Sequence, residues 1–201
     1  MRKNTNSQTI IGIDYGSKLA GTTVIARVRA ESTKVQFVQS LKKKDADQFI
    51  LDQLASEPPT VIFLDAPLSL PAAYFGKGDD YFYRSADREL KAMSPMFLGG
   101  LTARAMRLKK QLNNQGHQVI EAYPGGLARH LALPKDQYKK QKIYLPSILE
   151  LITTKIPIKF VASDLITWHH VDALLACWTG WRYHEGIAEN FGIAEEGQIW
   201  I

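Results

Sequence analysis

Four carboxylates stand out by their surroundings. Asp14 ends the apolar run Thr9 to Asp14, Asp65 follows the apolar run Thr60 to Leu64, and Glu121 lies near the end of His117 to Ala122. Continuous apolar runs of this length are typical of buried strands. Asp172 is stranger still. It sits inside the most apolar helical stretch of the chain, His169-His170-Val171-Asp172-Ala173-Leu174-Leu175-Ala176. Acids at the ends of neighbouring strands share one edge of a sheet, and clustered anions raise one another's pKa unless a cation sits between them. Hard oxygen donors suit magnesium or manganese, and two such ions stabilise the attacking and leaving oxygens of phosphodiester hydrolysis. The chemistry expected is two-metal cleavage, with Asp14, Asp65 and Asp172 as metal ligands. Glu121 completes the catalytic set.

Each acid taken alone has a plainer explanation. Asp14 before Tyr15-Gly16-Ser17, and Asp65 before Ala66-Pro67, would each serve to start a turn, where Asp accepts backbone hydrogen bonds. Glu121 would be ordinary on the solvent side of an edge strand. Repetition of the pattern favours a shared site. Asp172 is either paired, with His169 or with a Lys or Arg elsewhere, or is a ligand, because a buried unpaired charge is too costly.

Arg84, Asp87 and Arg88 share one helix face by their spacing. The two arginines would bind a substrate phosphate with Asp87 orienting them, or the trio is an exposed ion-pair ladder worth little. A net charge of +5, with basic clusters at Lys42 to Lys44, Arg104 to Lys110 and Lys135 to Lys142, suits an anionic partner such as DNA or RNA. For any single cluster, Arg104 and Arg107 included, a solvated basic face is the simpler expectation.

The elements that must position these groups follow from periodicity. Thr9 to Asp14, Thr22 to Val28 and Val35 to Gln39, with a turn over Ala30 to Lys34, predict an antiparallel meander. Asp45 or Asp47 caps a helix carrying Phe49, Ile50 and Leu54, which Pro58-Pro59 stops. After the strand ending at Asp65, the Pro- and Gly-punctuated stretch Ala66 to Asp80 predicts a loop over the site. Helices are expected from Tyr83 to Met93 and from Thr102 to Asn114, the second closed by Gly116. Leu145, Ile148, Leu149 and Ile152 keep helical spacing. A long helix runs from Thr167 to His184 with Val171, Leu174, Leu175, Trp178 and Trp181 on its apolar face, and its small residues 173, 176 and 180 permit close approach to a sheet. Strands first, then strand–helix alternation, predict one α/β domain over residues 1–201 with a mixed sheet flanked by helices.

Several motifs also carry a resemblance. Gly12-Ile13-Asp14-Tyr15-Gly16-Ser17 resembles the first-strand motif of ribonuclease H-like nucleases, notably the resolvase-like branch that includes Holliday-junction resolvases. The fuller set is Leu64-Asp65-Ala66-Pro67, Arg84-Ser85-Ala86-Asp87-Arg88, Glu121-Ala122-Tyr123-Pro124, His170-Val171-Asp172-Ala173-Leu174 and Glu195-Glu196-Gly197. It is similar, in order and across nearly the whole chain, to a large bacterial and archaeal family of predicted ribonuclease H-like nucleases, the domain of unknown function 429. The resemblance implies a ribonuclease H-like five-stranded sheet, with the family's acidic residues falling on Asp14, Asp65, Glu121 and Asp172. Where the family more often has Gly directly after the first Asp, this chain has Tyr15, a residue able to narrow access. His169 and His170 are the candidates nearest Asp172 for a general acid.

Two other functions compete with nuclease activity. Actin-like phosphotransferases open with a similar Gly-Ile-Asp-x-Gly-Ser turn, but need a duplicated domain with a second Gly-rich loop, which this chain lacks. A ribonuclease H-fold binding or scaffold domain with weak or no catalysis would keep the basic clusters without needing all four acids. The single Cys177 excludes an internal disulfide and suits a reducing compartment. No apolar run is long enough to span a membrane, and Met1 to Thr9 lacks a signal peptide's apolar core, so a cytoplasmic location is expected.

Overall fold

The computed structural model describes residues 9–29 and 34–201; Met1 to Gln8 and most of the turn expected over Ala30 to Lys34 lie outside the described residues. Strands β1 (Thr9–Asp14), β2 (Val24–Arg29) and β3 (Gln36–Gln39) form the antiparallel meander that the three β-rich runs predict. On the other side of β1 lie β4 (Val61–Asp65) and then β5 (Gln118–Ala122), both parallel to it. Two strands beyond the expected five extend the sheet. β6 (Asn190–Phe191) and β7 (Ile199–Trp200) give the order β3-β2-β1-β4-β5-β7-β6, with β7 parallel to β5 and β6 antiparallel at the edge. Each is two residues long, too short to leave any alternation in the sequence.

Both faces of the sheet centre are covered, which is why β1 and β4 are largely apolar up to their terminal aspartates. Ile11, Ile13, Ile25, Ile62 and Leu64 pack with α1 (Ala46–Leu54) and α4 (Gly100–Asn114) on one face. Ile10, Val24, Ala26 and Val28 pack on the other with α5 (Pro124–His130), α6 (Leu145–Lys155) and α7 (Trp168–His184). Helix α7 is buried around most of its circumference from His170 to Gly180, so its apolar residues extend well beyond the single stripe expected. The small residues let it reach the strand backbone. A methyl group added to Gly12 of β1 would lie 2.0 Å from the Cys177 nitrogen and 2.6 Å from the Ala173 oxygen, so strand and helix meet main chain to main chain.

The helix expected over Tyr83 to Met93 is corrected. Helix α2 covers only Ser85–Glu89, because Lys91 turns left-handed (φ 47°) and Ser94 caps a separate turn, α3 (Pro95–Leu98). Helix α5, with Pro124 at its start, went unanticipated because two glycines hide its period. Gly116, at φ 89°, takes the left-handed position just after α4. Among the described residues, no helix is long and apolar enough to cross a membrane.

Candidate metal centre

Register decides which acids can meet. Asp14 and Asp65 are direct neighbours at the ends of parallel strands β1 and β4. Alternation puts Asp14 on the face of Gly12, and Asp65 on the face of Phe63. Gly12 faces α7, and Phe63 packs against Ala176 and lies beside Gly180 of that helix, so both acids point toward α7. Asp172 comes down from the first turns of α7 to meet them. One carboxylate oxygen from each of Asp14, Asp65 and Asp172 lies within 4.8 Å of the others. Asp14 and Asp172 are buried, at 6% and 1% exposure, while Asp65 is partly open. Burial, reinforced by the charges of Asp172 and Asp14, holds the Asp65 carboxyl well above the usual carboxylate range.

Glu121 is one residue out of step. Leu64, not Asp65, is its partner across β4 and β5, so its side chain leaves the sheet on the opposite face from the three aspartates. There it accepts the Leu68 amide at 2.8 Å and meets the guanidinium of Arg84, with Nη1 to Oε2 and Nη2 to Oε1 both at 2.7 Å. The Glu121 side chain still borders the cavity that Asp14 and Asp65 line, but it is engaged by an arginine rather than grouped with the other acids.

The phosphate-binding role expected of Arg84 is corrected by its burial. Its side chain has no exposed surface, and all five of its N–H donors are used within the protein. Two go to Glu121, two to Asp87 (Nε at 3.0 Å, Nη2 at 2.7 Å) and one to the Ser69 hydroxyl at 2.8 Å. Burial disfavours its charge, but Glu121 and Asp87 outweigh this and hold the guanidinium ionised. Asp87 does orient Arg84, and it also accepts the Arg84 backbone amide at 2.9 Å. Arg88 parts from the trio and turns outward to Asp80 and over the Tyr83 ring. Neither the phosphate grip nor the exposed ladder describes this arrangement.

Three further groups complete the surroundings. His169 Nδ1 lies 2.9 Å from Asp14 Oδ2, and this hydrogen bond raises its pKa. Asp172 finds a cation, but not His169: Lys139 Nζ lies 2.5 Å from Oδ2, while the Tyr138 hydroxyl donates to Oδ1. Burial disfavours the Lys139 ammonium, yet the charges of Asp172, Asp65 and Asp14 outweigh that and hold it protonated. Lys139 and Tyr138 were absent from the expected site. A lysine in the basic run Lys135 to Lys142 looks like every other solvated lysine, and its left-handed backbone (φ 59°), which sets it in a turn, leaves no mark in the sequence.

Around the site, Asp45 is the helix cap, accepting the Asp47 and Gln48 amides. Asp47 is instead buried, where it accepts the Tyr15 hydroxyl at 2.5 Å and ion-pairs with Arg104 at 2.6 Å and Arg107 at 3.1 Å. The solvated face expected for Arg104 is therefore corrected: it lies largely buried over the Tyr15 ring. Tyr15 lines the cavity wall with its hydroxyl held by Asp47. Glu196, from the C-terminal motif, is structural. Its carboxylate accepts the Ala72 and Ser85 amides and so ties the loop after β4 to the start of α2. The cavity over the acids has a volume of about 310 Å³, with Tyr15, Pro67, Met93, Leu101, Tyr123 and Lys139 among its walls. A second, beside His169, is lined by Lys140, Lys142, Ile166 and Trp168.

Neither the protein-family models nor the curated proteins compared with this sequence gave a match.

Proposed function

We propose that this chain is a metal-dependent nuclease with a ribonuclease H-like fold, hydrolysing phosphodiester bonds of DNA or RNA. The observation that carries this reading is the meeting of Asp14, Asp65 and Asp172 within 4.8 Å, at the ends of two adjacent parallel strands and the start of the helix that crosses them. Three hard oxygen donors at that spacing fit magnesium or manganese, and the buried acids otherwise repel. The meander β3-β2-β1 continued by parallel β4 and β5 supports the fold assignment, because it is the mixed sheet that the sequence resemblance implies.

Asp14, Asp65 and Asp172 would hold the ion; when bound, a divalent cation activates water and offsets charge on the phosphate. His169, hydrogen-bonded to Asp14 and 42% exposed at the side chain, is placed to carry a proton between the site and solvent. Lys140, Lys142 and Trp168 line the neighbouring cavity, offering cations to a phosphate and a ring to a base. Glu121 acts indirectly, by locking Arg84 and the loop after β4 beside the site.

The deciding experiment is a cleavage assay on labelled single-stranded, duplex and branched DNA and on RNA, with magnesium, manganese or chelator. Asp14→Asn and Asp172→Asn should each lower cleavage by orders of magnitude; without metal, Asp14→Asn should melt at the same or a higher temperature, whereas Asp172→Asn also breaks the ion pair to Lys139 and should melt lower. Metal-dependent binding without cleavage of any substrate would leave a binding domain in place of an enzyme.

A further inference from the structure

Ionised around a cation, the three aspartates carry three negative charges, and one of the positive charges that balances them is built into the chain. Lys139 reaches Asp172 Oδ2 at 2.5 Å and interacts electrostatically with Asp65 and Asp14 as well. Its placement is held from several directions. Tyr138 donates to the other oxygen of Asp172, the Tyr138 and Lys140 amides close turns onto Pro134 and Gln137, and the Trp168 ring nitrogen donates to the Lys140 carbonyl at 3.1 Å. Lys139 also takes a left-handed backbone that lysine seldom adopts. Two divalent ions beside this ammonium would bring five positive charges to three carboxylates. A single ion brings three, which matches them.

We propose that the centre takes one divalent ion, with Lys139 supplying the second cation that a pair of ions would otherwise provide. This rests on the metal-dependent reading of the same acids. It also replaces the two-ion chemistry expected from the carboxylates alone. Lys139 then stays beside Asp172 while the ion binds, leaving Asp14, Asp65 and the remaining carboxylate capacity of Asp172 as the ligand set.

The test is a count of bound manganese on the chelator-stripped full chain, by titration calorimetry and by the electron paramagnetic resonance of free manganese. Wild type should bind one ion. Lys139→Met should bind its first ion roughly tenfold or more tightly, or admit a second, because an ammonium close to a dication is repelled strongly even at an effective dielectric of about 20. Lys139→Arg, which keeps the charge, should retain a count of one. Without metal, Lys139→Met should melt lower than wild type and recover more on adding manganese. Two ions in wild type overturn the proposal yet leave the nuclease reading intact, as does a Lys139→Met variant with unchanged count and affinity. The wild-type count decides even if a variant fails to fold. Absence of any manganese binding, together with absence of metal-dependent cleavage, overturns both.

Discussion

Replacing Arg84 by Met removes a cation that two buried acids share. Asp87 is 1% exposed and Glu121 6%, and between them they receive four of the guanidinium's five hydrogen bonds. Breaking one buried ion pair by deleting a partner costs about 3–5 kcal/mol. Here two carboxylates lose their cation at once. Some of that is recovered if one of them takes up a proton, at about 1.4 kcal/mol per unit of pKa shift. A net loss of at least about 4 kcal/mol follows, a large part of the roughly 5–15 kcal/mol that holds a typical domain folded. Urea unfolding followed by tryptophan fluorescence would measure it. Arg84→Lys keeps the charge but not the planar fork, and should lose less. The sign of the pH effect is also set. Burial holds the Glu121 carboxyl above its ordinary range even against Arg84, and without that cation it rises further, so the variant should regain stability as pH falls toward about 4 and lose it as pH rises. A cost below about 1 kcal/mol for Arg84→Met, with nucleic-acid binding nonetheless abolished, would refute the structural role and restore Arg84 as a phosphate contact.

Gly12→Ala should cost more than about 3 kcal/mol and lower manganese affinity together, because its methyl meets the α7 main chain and cannot be absorbed by a side-chain movement; thermal melts and metal titration check both. Manganese affinity should rise with pH, with proton release seen as a buffer-dependent binding enthalpy, because Asp65 must lose its proton to bind metal. For the metal-free chain the raised Asp65 and His169 values imply stability that is fully present at acid pH and lost as pH rises through each folded pKa, a trend manganese should flatten. Nucleic-acid affinity should fall steeply with salt, and Lys140→Ala with Lys142→Ala should weaken it more than Lys42→Ala with Lys43→Ala; equal losses in filter binding would put the substrate elsewhere.

What the sequence made legible was whatever both faces of the sheet enforce. β1, β4 and α7 are apolar because they are packed on more than one side, and the three aspartates could be picked out as acids interrupting that pattern. Register was not legible. Glu121 and Asp65 look equivalent as acids at strand ends, yet a one-residue offset sends Glu121 to the other face and to Arg84. Arg84 itself could be read only as a phosphate contact or as part of an exposed ladder, because a cation's burial depends on partners distant in sequence: Ser69, Glu121 and the loop they border. Lys139 failed for the same reason. Only the folded turn distinguishes it from the lysines beside it.

The main-chain contact at Gly12 has a consequence for how the centre comes into being during synthesis. Asp14 and Asp65 leave the ribosome early and can align as soon as β1 and β4 pair. Asp172 emerges much later, on a helix whose seat against β1 admits no side chain between them. Contacts so far apart in sequence form late, after the long intervening loop has been closed at an entropic cost. Until then the nascent chain carries two neighbouring aspartates without their third acid or the lysine that balances them. A growing chain therefore completes its acidic cluster and the α7 side of its core in one event, the docking of α7.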